Sequence, residues 1–148
     1  MSKLKRAAVA SVFALGVTAA MITPASAAGT ATYSCPGYGT ITGTFTRINA
    51  TTVDLNATIG YSSPSPLAPG AIVATLGGSA PYPRTMSNPN VLPPTGSSVL
   101  LRGTGFPASL PAPPNTITLV ITLPPPPTPP NTVTVVCTRT ATGVTWPV

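Results

Sequence analysis

Residues 115–123 read NTITLVITL, and this stretch decides the class of fold. Ile117, Leu119, Ile121 and Leu123 alternate with residues that are mostly threonine. A period of two places apolar side chains on one face of a β-strand and polar side chains on the other. Threonine is β-branched as well as polar, so it suits the face that meets water. The stretch therefore predicts a strand with one buried face.

The same alternation recurs along the chain and predicts about seven strands. They lie near residues 30–35, 39–48, 51–60, 71–76, 97–103, 115–123 and 132–141. The prolines between residues 36 and 114 fall outside these segments, as a folded β domain requires, because proline cannot donate a ladder hydrogen bond. We expect an all-β protein, an immunoglobulin-like sandwich of about seven antiparallel strands. A small Greek-key barrel is the alternative.

The composition removes most of the groups on which enzymes rely. The 148 residues include no histidine and one acidic residue, Asp54. General acid–base catalysis and nucleophile activation depend mostly on His, Glu, Asp or Lys, and metal sites on His, Cys and carboxylates. Asp54 lies on the polar face of a predicted strand, where we expect a solvated surface carboxylate. We therefore expect no enzymatic activity, no cofactor and no metal site.

Residues 1–27 have the organisation of an export signal peptide. Three basic residues among the first six precede an apolar run over residues 7–22, and the small-residue motif Ala-Ser-Ala ends at Ala27. The apolar run is short for a bilayer span. We expect cleavage between Ala27 and Ala28, no retained membrane span, and a single β domain over residues 28–148.

Cleavage would also change the charge balance, because three of the seven basic residues belong to the export peptide. Four scattered arginines against one aspartate would then leave a net charge of +3 in place of +6. Nucleic-acid-binding domains carry a basic patch or stripe, which the sequence does not show. We therefore expect no nucleic-acid partner.

Cys35 and Cys137 are the two cysteines of the chain. An isolated pair in an exported protein is typical of a disulfide. Each cysteine shares its predicted strand face with apolar neighbours, so both should point into the core. We expect a disulfide between them, in a position to bridge the two sheets of a sandwich.

Several of these features together resemble a known class of proteins. The export peptide, the sequence YSC at residues 33–35, the body rich in Thr, Pro and Gly, and the closing VVCT at residues 135–138 resemble secreted actinobacterial domains of unknown function. Those domains also run from cysteine to cysteine. The resemblance implies an exported, non-enzymatic domain of the envelope or the extracellular space, and it supplies no catalytic residues.

Two further motifs have alternative interpretations. Residues 92–96 read LPPTG, which fits the pentapeptide that sortases cut, but strand-forming sequence follows it in place of a C-terminal apolar span and basic tail. We interpret this match as a coincidence within a loop. Residues 124–130 read PPPPTPP and favour the polyproline II form, either as a stiff connection or as a ligand for an aromatic groove.

The predicted strand order suggests where binding residues gather. If successive strands alternate in direction, loops 77–96 and 124–131 emerge at one end, and the first carries Tyr82 and Arg84. The other end would gather three aromatic residues, which are Tyr38, Tyr61 and Phe106. Rigid loops at the end of a sandwich commonly bind partners, although aromatic residues there also serve to cover the core.

The sequence thus predicts a secreted, non-enzymatic structural or binding module of the extracellular space or the cell envelope, closed by one disulfide. An association with the cell wall is an open alternative. Its partner would be a wall polymer or another envelope protein. The alternative is a module that binds carbohydrate or cell-wall polymer through loop residues, namely Tyr82, Arg84, Tyr38 and Tyr61.

Overall fold

The computed structural model describes residues 27–124, 131–143 and 146–148. Within these ranges the chain forms ten β-strands and no helix, which confirms the all-β class. The strands are β1 (Ala28–Cys35), β2 (Gly39–Arg47), β3 (Val53–Ala57), β4 (Tyr61–Ser62), β5 (Ile72–Gly77), β6 (Arg84–Ser87), β7 (Thr95–Gly96), β8 (Val99–Gly103), β9 (Thr116–Thr122) and β10 (Thr132–Thr142). Each of the seven predicted segments contains or overlaps one of them.

Eight strands form one closed antiparallel barrel in the order β1-β10-β9-β5-β6-β8-β3-β2, and β2 pairs with β1 to complete it. β5, β6 and β8 are successive barrel strands, and β9 returns to lie beside β5, which is a Greek-key arrangement. β4 and β7 form a separate two-stranded sheet. The closed barrel therefore agrees with the alternative prediction, a small Greek-key barrel, and not with the expected seven-stranded immunoglobulin-like sandwich.

The barrel strand that the sequence did not predict is β6. Its sequence RTMS has one apolar side chain, Met86, which is too few to show an alternation. The barrel is closed most weakly here, because β6 and β8 share one register pair, Ser87 with Arg102. An additional strand reverses the chain once more, so every later loop emerges at the end opposite to the predicted one.

The barrel has two ends, which we name after an aromatic residue at each. The Tyr38 end comprises residues 36–38, 58–71 and 88–98, together with Pro124 and Asn131, where β9 has ended and β10 is about to begin. The Trp146 end comprises residues 48–52, 78–83, 104–115 and 146–148. Tyr38 and Tyr61 share an end, as predicted. Phe106 lies at the opposite end from them, and Tyr82 lies at the opposite end from Pro124. Both positions differ from the prediction because the prediction did not include β6.

Inward-facing side chains fill the barrel along its length. The largest of those that are fully buried include Tyr33, Phe45, Leu55, Leu76, Leu101 and Ile117. The Trp146 end is closed over this core by Phe106, Leu110 and Val148, all buried. Leu110 and Val148 exchange backbone hydrogen bonds, and the Trp146 ring packs on Phe45 with 5.6 Å between ring centroids. One end of the barrel is thus sealed.

The predicted disulfide is present between Cys35 and Cys137, with 4.2 Å between their Cα atoms. Both cysteines are buried in the core, as expected. The bridge joins β1 to β10, which are neighbours in one barrel sheet. The expectation that it links two sheets is wrong, because the closed barrel has no second layer.

Two predicted segments lie wholly or largely outside the described residues. The export peptide precedes them except for Ala27, and β1 begins at Ala28, directly after the expected cleavage site. Of the proline run, Pro124 is described. In the part of the chain that the structure describes, no helix is long and apolar enough to cross a membrane.

Candidate functional site

A cavity of about 260 Å³ occupies the mouth of the barrel at the Tyr38 end. The cavity exists because the strands around it differ in length. The β9–β10 pair extends towards this end as far as Thr122 and Thr132, well beyond the level of Cys137, whereas β1 stops at Cys35. Their inward side chains therefore stand above the last filled layer of the core. The apolar wall consists of Ile41, Ile59, Leu67, Ile121, Leu123, Val133 and Val135.

Tyr38 stands at the rim of this cavity, on the turn between β1 and β2. Its N–H donates to the carbonyl of Cys35 at 2.9 Å, and its side chain is 61% exposed. Gly37 and Gly39 on either side both have φ of +84°, the left-handed region that glycine adopts without strain. The disulfide at Cys35 thus anchors the turn that presents Tyr38.

Tyr61 forms a second part of the rim, on β4. It pairs with Gly96 on β7, and its ring lies so close to that glycine that a Cβ there would sit 2.6 Å from a ring atom. The absence of a side chain at Gly96 therefore makes room for the ring.

The LPPTG motif builds the scaffold next to this ring. Leu92 forms a two-way backbone bridge with Leu67, the carbonyl of Pro94 accepts from the N–H of Ser63 at 2.7 Å, and Thr95–Gly96 is β7 itself. The motif thus has a structural use within the fold, which favours its interpretation as a coincidental match.

Asn88 organises the loops behind the cavity, and sequence reasoning missed it. Asn88 is 1% exposed. Its Oδ1 accepts a hydrogen bond from the N–H of Ile72 at 2.9 Å. Its Nδ2 donates to the carbonyls of Ala68 and Asn90, each at 2.9 Å. All its hydrogen-bonding groups on the side chain are therefore used in joining residues 68–72 to residues 88–90. The sequence SNPN marks a turn but not this burial.

Among the residues that the structure describes, no charged side chain lines the cavity. Its polar side chains are hydroxyls, from Thr40, Thr58, Ser62 and the two tyrosines. The Thr58 hydroxyl already accepts from the N–H of Thr42 and donates to the carbonyl of Thr42, both at 3.1 Å. The site is thus an uncharged apolar cup with a few hydroxyls and two aromatic rings at its edge.

Tyr82, another predicted binding residue, lies at the Trp146 end in a set of three side chains that hold one loop. The Tyr82 hydroxyl donates to the carbonyl of Ala112 at 2.8 Å. Arg139 Nη1 donates to the carbonyl of Pro113 at 2.7 Å. The Tyr33 hydroxyl donates to the carbonyl of Pro114 at 2.9 Å. These bonds satisfy consecutive carbonyls of a segment where proline supplies no N–H.

Burial changes the acidity of the two tyrosines in this set. Loss of hydration raises the pKa of Tyr82 to about 12, against a smaller opposing effect of the positive charge on Arg139. The same loss of hydration, stronger in the barrel interior, raises the pKa of Tyr33 further, and the neighbouring Tyr82 adds to it. Both hydroxyls therefore remain protonated donors across the physiological range.

Arg84, the fourth predicted binding residue, is the first residue of β6 and not part of a loop. Its Nε donates to the carbonyl of Pro81 at 3.0 Å and its Nη1 to that of Gly105 at 2.7 Å. Arg47 similarly donates to backbone oxygens of Ala50 and Val148. The structure therefore brings Tyr38 and Tyr61 together at a cavity, while Tyr82 and Arg84 hydrogen-bond within the opposite end.

Asp54 is not the solvated carboxylate that we expected, since it is 6% exposed. Arg102 on the adjacent strand β8 donates from Nε to Oδ1 at 2.7 Å and from Nη2 to Oδ2 at 2.8 Å. Those bonds raise the pKa of the Arg102 guanidinium. Residues 27–124, 131–143 and 146–148 contain no group of three or more His, Cys, Asp or Glu that could hold a metal ion.

In comparisons with known proteins, the chain matches no family model, no curated protein and no solved structure. The functional argument therefore depends on the geometry and chemistry of the barrel itself.

Proposed function

We propose that the protein is an exported, non-enzymatic module of the cell envelope or the extracellular space that binds a partner in the cavity at the Tyr38 end. The observation that carries the proposal is the asymmetry of the barrel. One end is sealed by Phe106, Leu110 and Val148, while the other opens into an uncharged cavity rimmed by Tyr38 and Tyr61. Ligand sites are typically concave and apolar, with a few polar groups at the edge.

Export is supported by two features that fit one another. The disulfide between Cys35 and Cys137 is compatible with an oxidising compartment. The first described strand starts at Ala28, so removal of residues 1–27 would leave each of the ten described strands intact. The resemblance to secreted actinobacterial domains supports the same location.

A non-enzymatic role is supported by the state of Asp54. Both of its carboxylate oxygens accept hydrogen bonds from Arg102, on the outside of the barrel and away from the cavity. A general base needs a lone pair within hydrogen-bond reach of a substrate proton. Any turnover by the purified protein that the Asp54→Asn variant loses would contradict this part of the proposal.

The binding proposal is tested with secreted protein and envelopes isolated from the producing cells. We expect the natural protein to be retained on the envelopes and the double variant Tyr38→Ala, Tyr61→Ala to lose at least tenfold in retention. Tyr82→Phe is the matched control, because it changes a tyrosine at the sealed end and should be retained like the natural protein. Equal retention of all three proteins would overturn the proposal.

Binding of carbohydrate or wall polymer is a second candidate, and one observation favours it. Tyr38 is 61% exposed at the rim, where its ring offers a flat apolar face with a hydroxyl at its edge. Retention on purified wall polysaccharide, abolished by a soluble oligosaccharide of the same polymer and by Tyr38→Ala, would support this candidate.

A further inference from the structure

We propose that the cavity at the Tyr38 end binds an uncharged aliphatic group, the end of an acyl or isoprenoid chain, and leaves the polar part of the ligand at the tyrosine rim. This inference rests on the proposed function and specifies the ligand class of the same site. It is carried by the chemistry of the cavity wall, by the hydrogen bonds that the wall offers, and by the cavity's size.

Three of the strands that form the wall contribute aliphatic side chains to it. β2 contributes Ile41, β9 contributes Ile121, and β10 contributes Val133 and Val135. Leu67, from the segment between β4 and β5, also lines the cavity and is buried, held in place by its bridge to Leu92. Branched aliphatic side chains of this kind contact a hydrocarbon chain without leaving any polar group unpaired.

The hydrogen-bonding capacity of the wall is too small for a sugar. Burying a sugar ring requires partners for several adjacent hydroxyls, because each unpaired polar group costs free energy. The described lining residues include no carboxylate, amide or guanidinium side chain, and the Thr58 hydroxyl is already paired with Thr42. The remaining hydroxyls, on Thr40, Ser62 and the tyrosines, suffice for one uncharged polar end group.

An ionised head group finds no counter-charge at this site. The described arginines hydrogen-bond elsewhere: Arg47, Arg84 and Arg139 donate to backbone oxygens at the Trp146 end, and Arg102 is paired with Asp54 on the outer face. A charge removed from water without a partner is strongly unfavourable. The ligand is therefore uncharged where it enters the cavity.

The size of the cavity limits how much of the ligand enters. About 260 Å³ is slightly below the range of about 300–1,000 Å³ that is usual for pockets that enclose a drug-sized molecule. The cavity therefore holds one chain end, and the rest of the ligand extends past Tyr38 into solvent.

The direct test is a titration of the secreted protein with straight-chain primary alcohols of increasing length, followed by methyl NMR. We expect shifts of the methyl signals of Ile121, Leu123 and Val133, with those of Leu110 and Val148 at the sealed end unchanged. Each added methylene should raise the affinity about fourfold, as expected from the burial of one CH₂, until the cavity is full and the affinity levels off.

A matched pair of variants on β10 tests the position of the ligand. Val133 lines the cavity, whereas Val136 on the same strand is 53% exposed on the outer face. We expect Val133→Phe to fill the cavity and lower alcohol affinity at least tenfold, and Val136→Phe to leave it unchanged. Unaltered methyl signals of Leu110 and Val148 show that a variant has kept the fold. If Val133→Phe does not keep the fold, Leu123→Phe replaces it in the test.

The outcomes separate this inference from the proposed function. Alcohol binding that increases with chain length and is lost on filling the cavity supports the inference. Absence of alcohol binding, or shifts of the cavity signals by a neutral oligosaccharide instead, overturns it. Envelope retention that still depends on Tyr38 and Tyr61 in that case leaves the proposed function standing, whereas retention independent of both residues removes the proposed function as well.

Discussion

Asp54 and Arg102 lie directly opposite one another on β3 and β8 and form the one salt bridge found among the described residues. Two hydrogen bonds join the planar guanidinium to the two carboxylate oxygens. The aspartate is almost fully buried beneath this contact, while the arginine side chain remains 44% exposed. The only acidic residue of the chain is therefore part of the barrel wall.

This difference in exposure predicts unequal effects of removing either partner. Arg102→Gln should lower the urea midpoint of unfolding more than Asp54→Asn, because it leaves a buried carboxylate unpaired, whereas an unpaired guanidinium there still reaches water. The double variant should recover part of the loss from Arg102→Gln. Equal midpoints for the two single variants would contradict this account.

Removal of the disulfide should cost a large part of the stability. The bridge closes a loop of 102 residues, for which the chain-entropy model gives about 4–5 kcal/mol. We expect the double variant Cys35→Ala, Cys137→Ala to lose about that much in equilibrium unfolding, and reductant to have no further effect on it. Intact mass checks the premise: a free-thiol mass for the natural secreted protein would rule the bridge out.

Alkaline pH should destabilise the barrel through its buried tyrosines. Tyrosine in the unfolded chain ionises with a pKa of about 10, while that of Tyr82 in the folded barrel is raised to about 12. The folded state thus holds the proton more tightly, so this contribution is complete below pH about 10 and is lost as pH rises towards about 12. Tyr33, with its pKa raised further, continues the loss.

The measurement is the free energy of urea unfolding at a series of alkaline pH values. Tyr82→Phe should lower stability by about 1 kcal/mol at neutral pH, through loss of the hydrogen bond to Ala112, and flatten the decline above pH about 10. A decline as steep as that of the natural protein would show that Tyr82 does not contribute to it.

Asn88→Ala should destabilise the Tyr38 end by about 1–3 kcal/mol, since it leaves the buried N–H of Ile72 without its partner and removes the hydrogen bonds to the carbonyls of Ala68 and Asn90. Asn90→Ala is the control, because the backbone carbonyl of Asn90, which accepts from Asn88, is retained. We expect the control to stay within about 0.5 kcal/mol of the natural protein. A similar loss in both variants would argue for a general effect of this loop.

Gly103→Ala should destabilise by about 1–3 kcal/mol through overpacking. A Cβ at this position would lie 2.5 Å from the Phe106 ring and 2.9 Å from the carbonyl oxygen of Thr85, and the latter belongs to the backbone of β6. Gly60→Ala, where an added Cβ meets nothing within 4 Å, is the matched control in thermal or urea unfolding. A stable Gly103→Ala variant would indicate that the β6–β8 contact yields easily.

The all-β class, seven strand positions and the buried faces of Cys35 and Cys137 could be predicted from the sequence. A period of two is a local property of the chain, and so is the exclusion of proline from strands, so both can be read before any tertiary contact is known. The scarcity of catalytic side chains is likewise a matter of composition, which no fold can change.

The closed barrel, the strand β6 and the cavity were decided by tertiary structure alone. Four residues with a single apolar side chain carry no periodic signal, and β6 forms because β5 offers it a ladder of hydrogen bonds. That one strand reverses the direction of everything after it, which separates Tyr82 from Pro124 and places Phe106 opposite Tyr38. The burial of Asp54 and the position of Tyr38 and Tyr61 at one cavity likewise depend on the register between distant strands. Strand partners are set by long-range packing and not by neighbouring residues, so the local sequence does not show them.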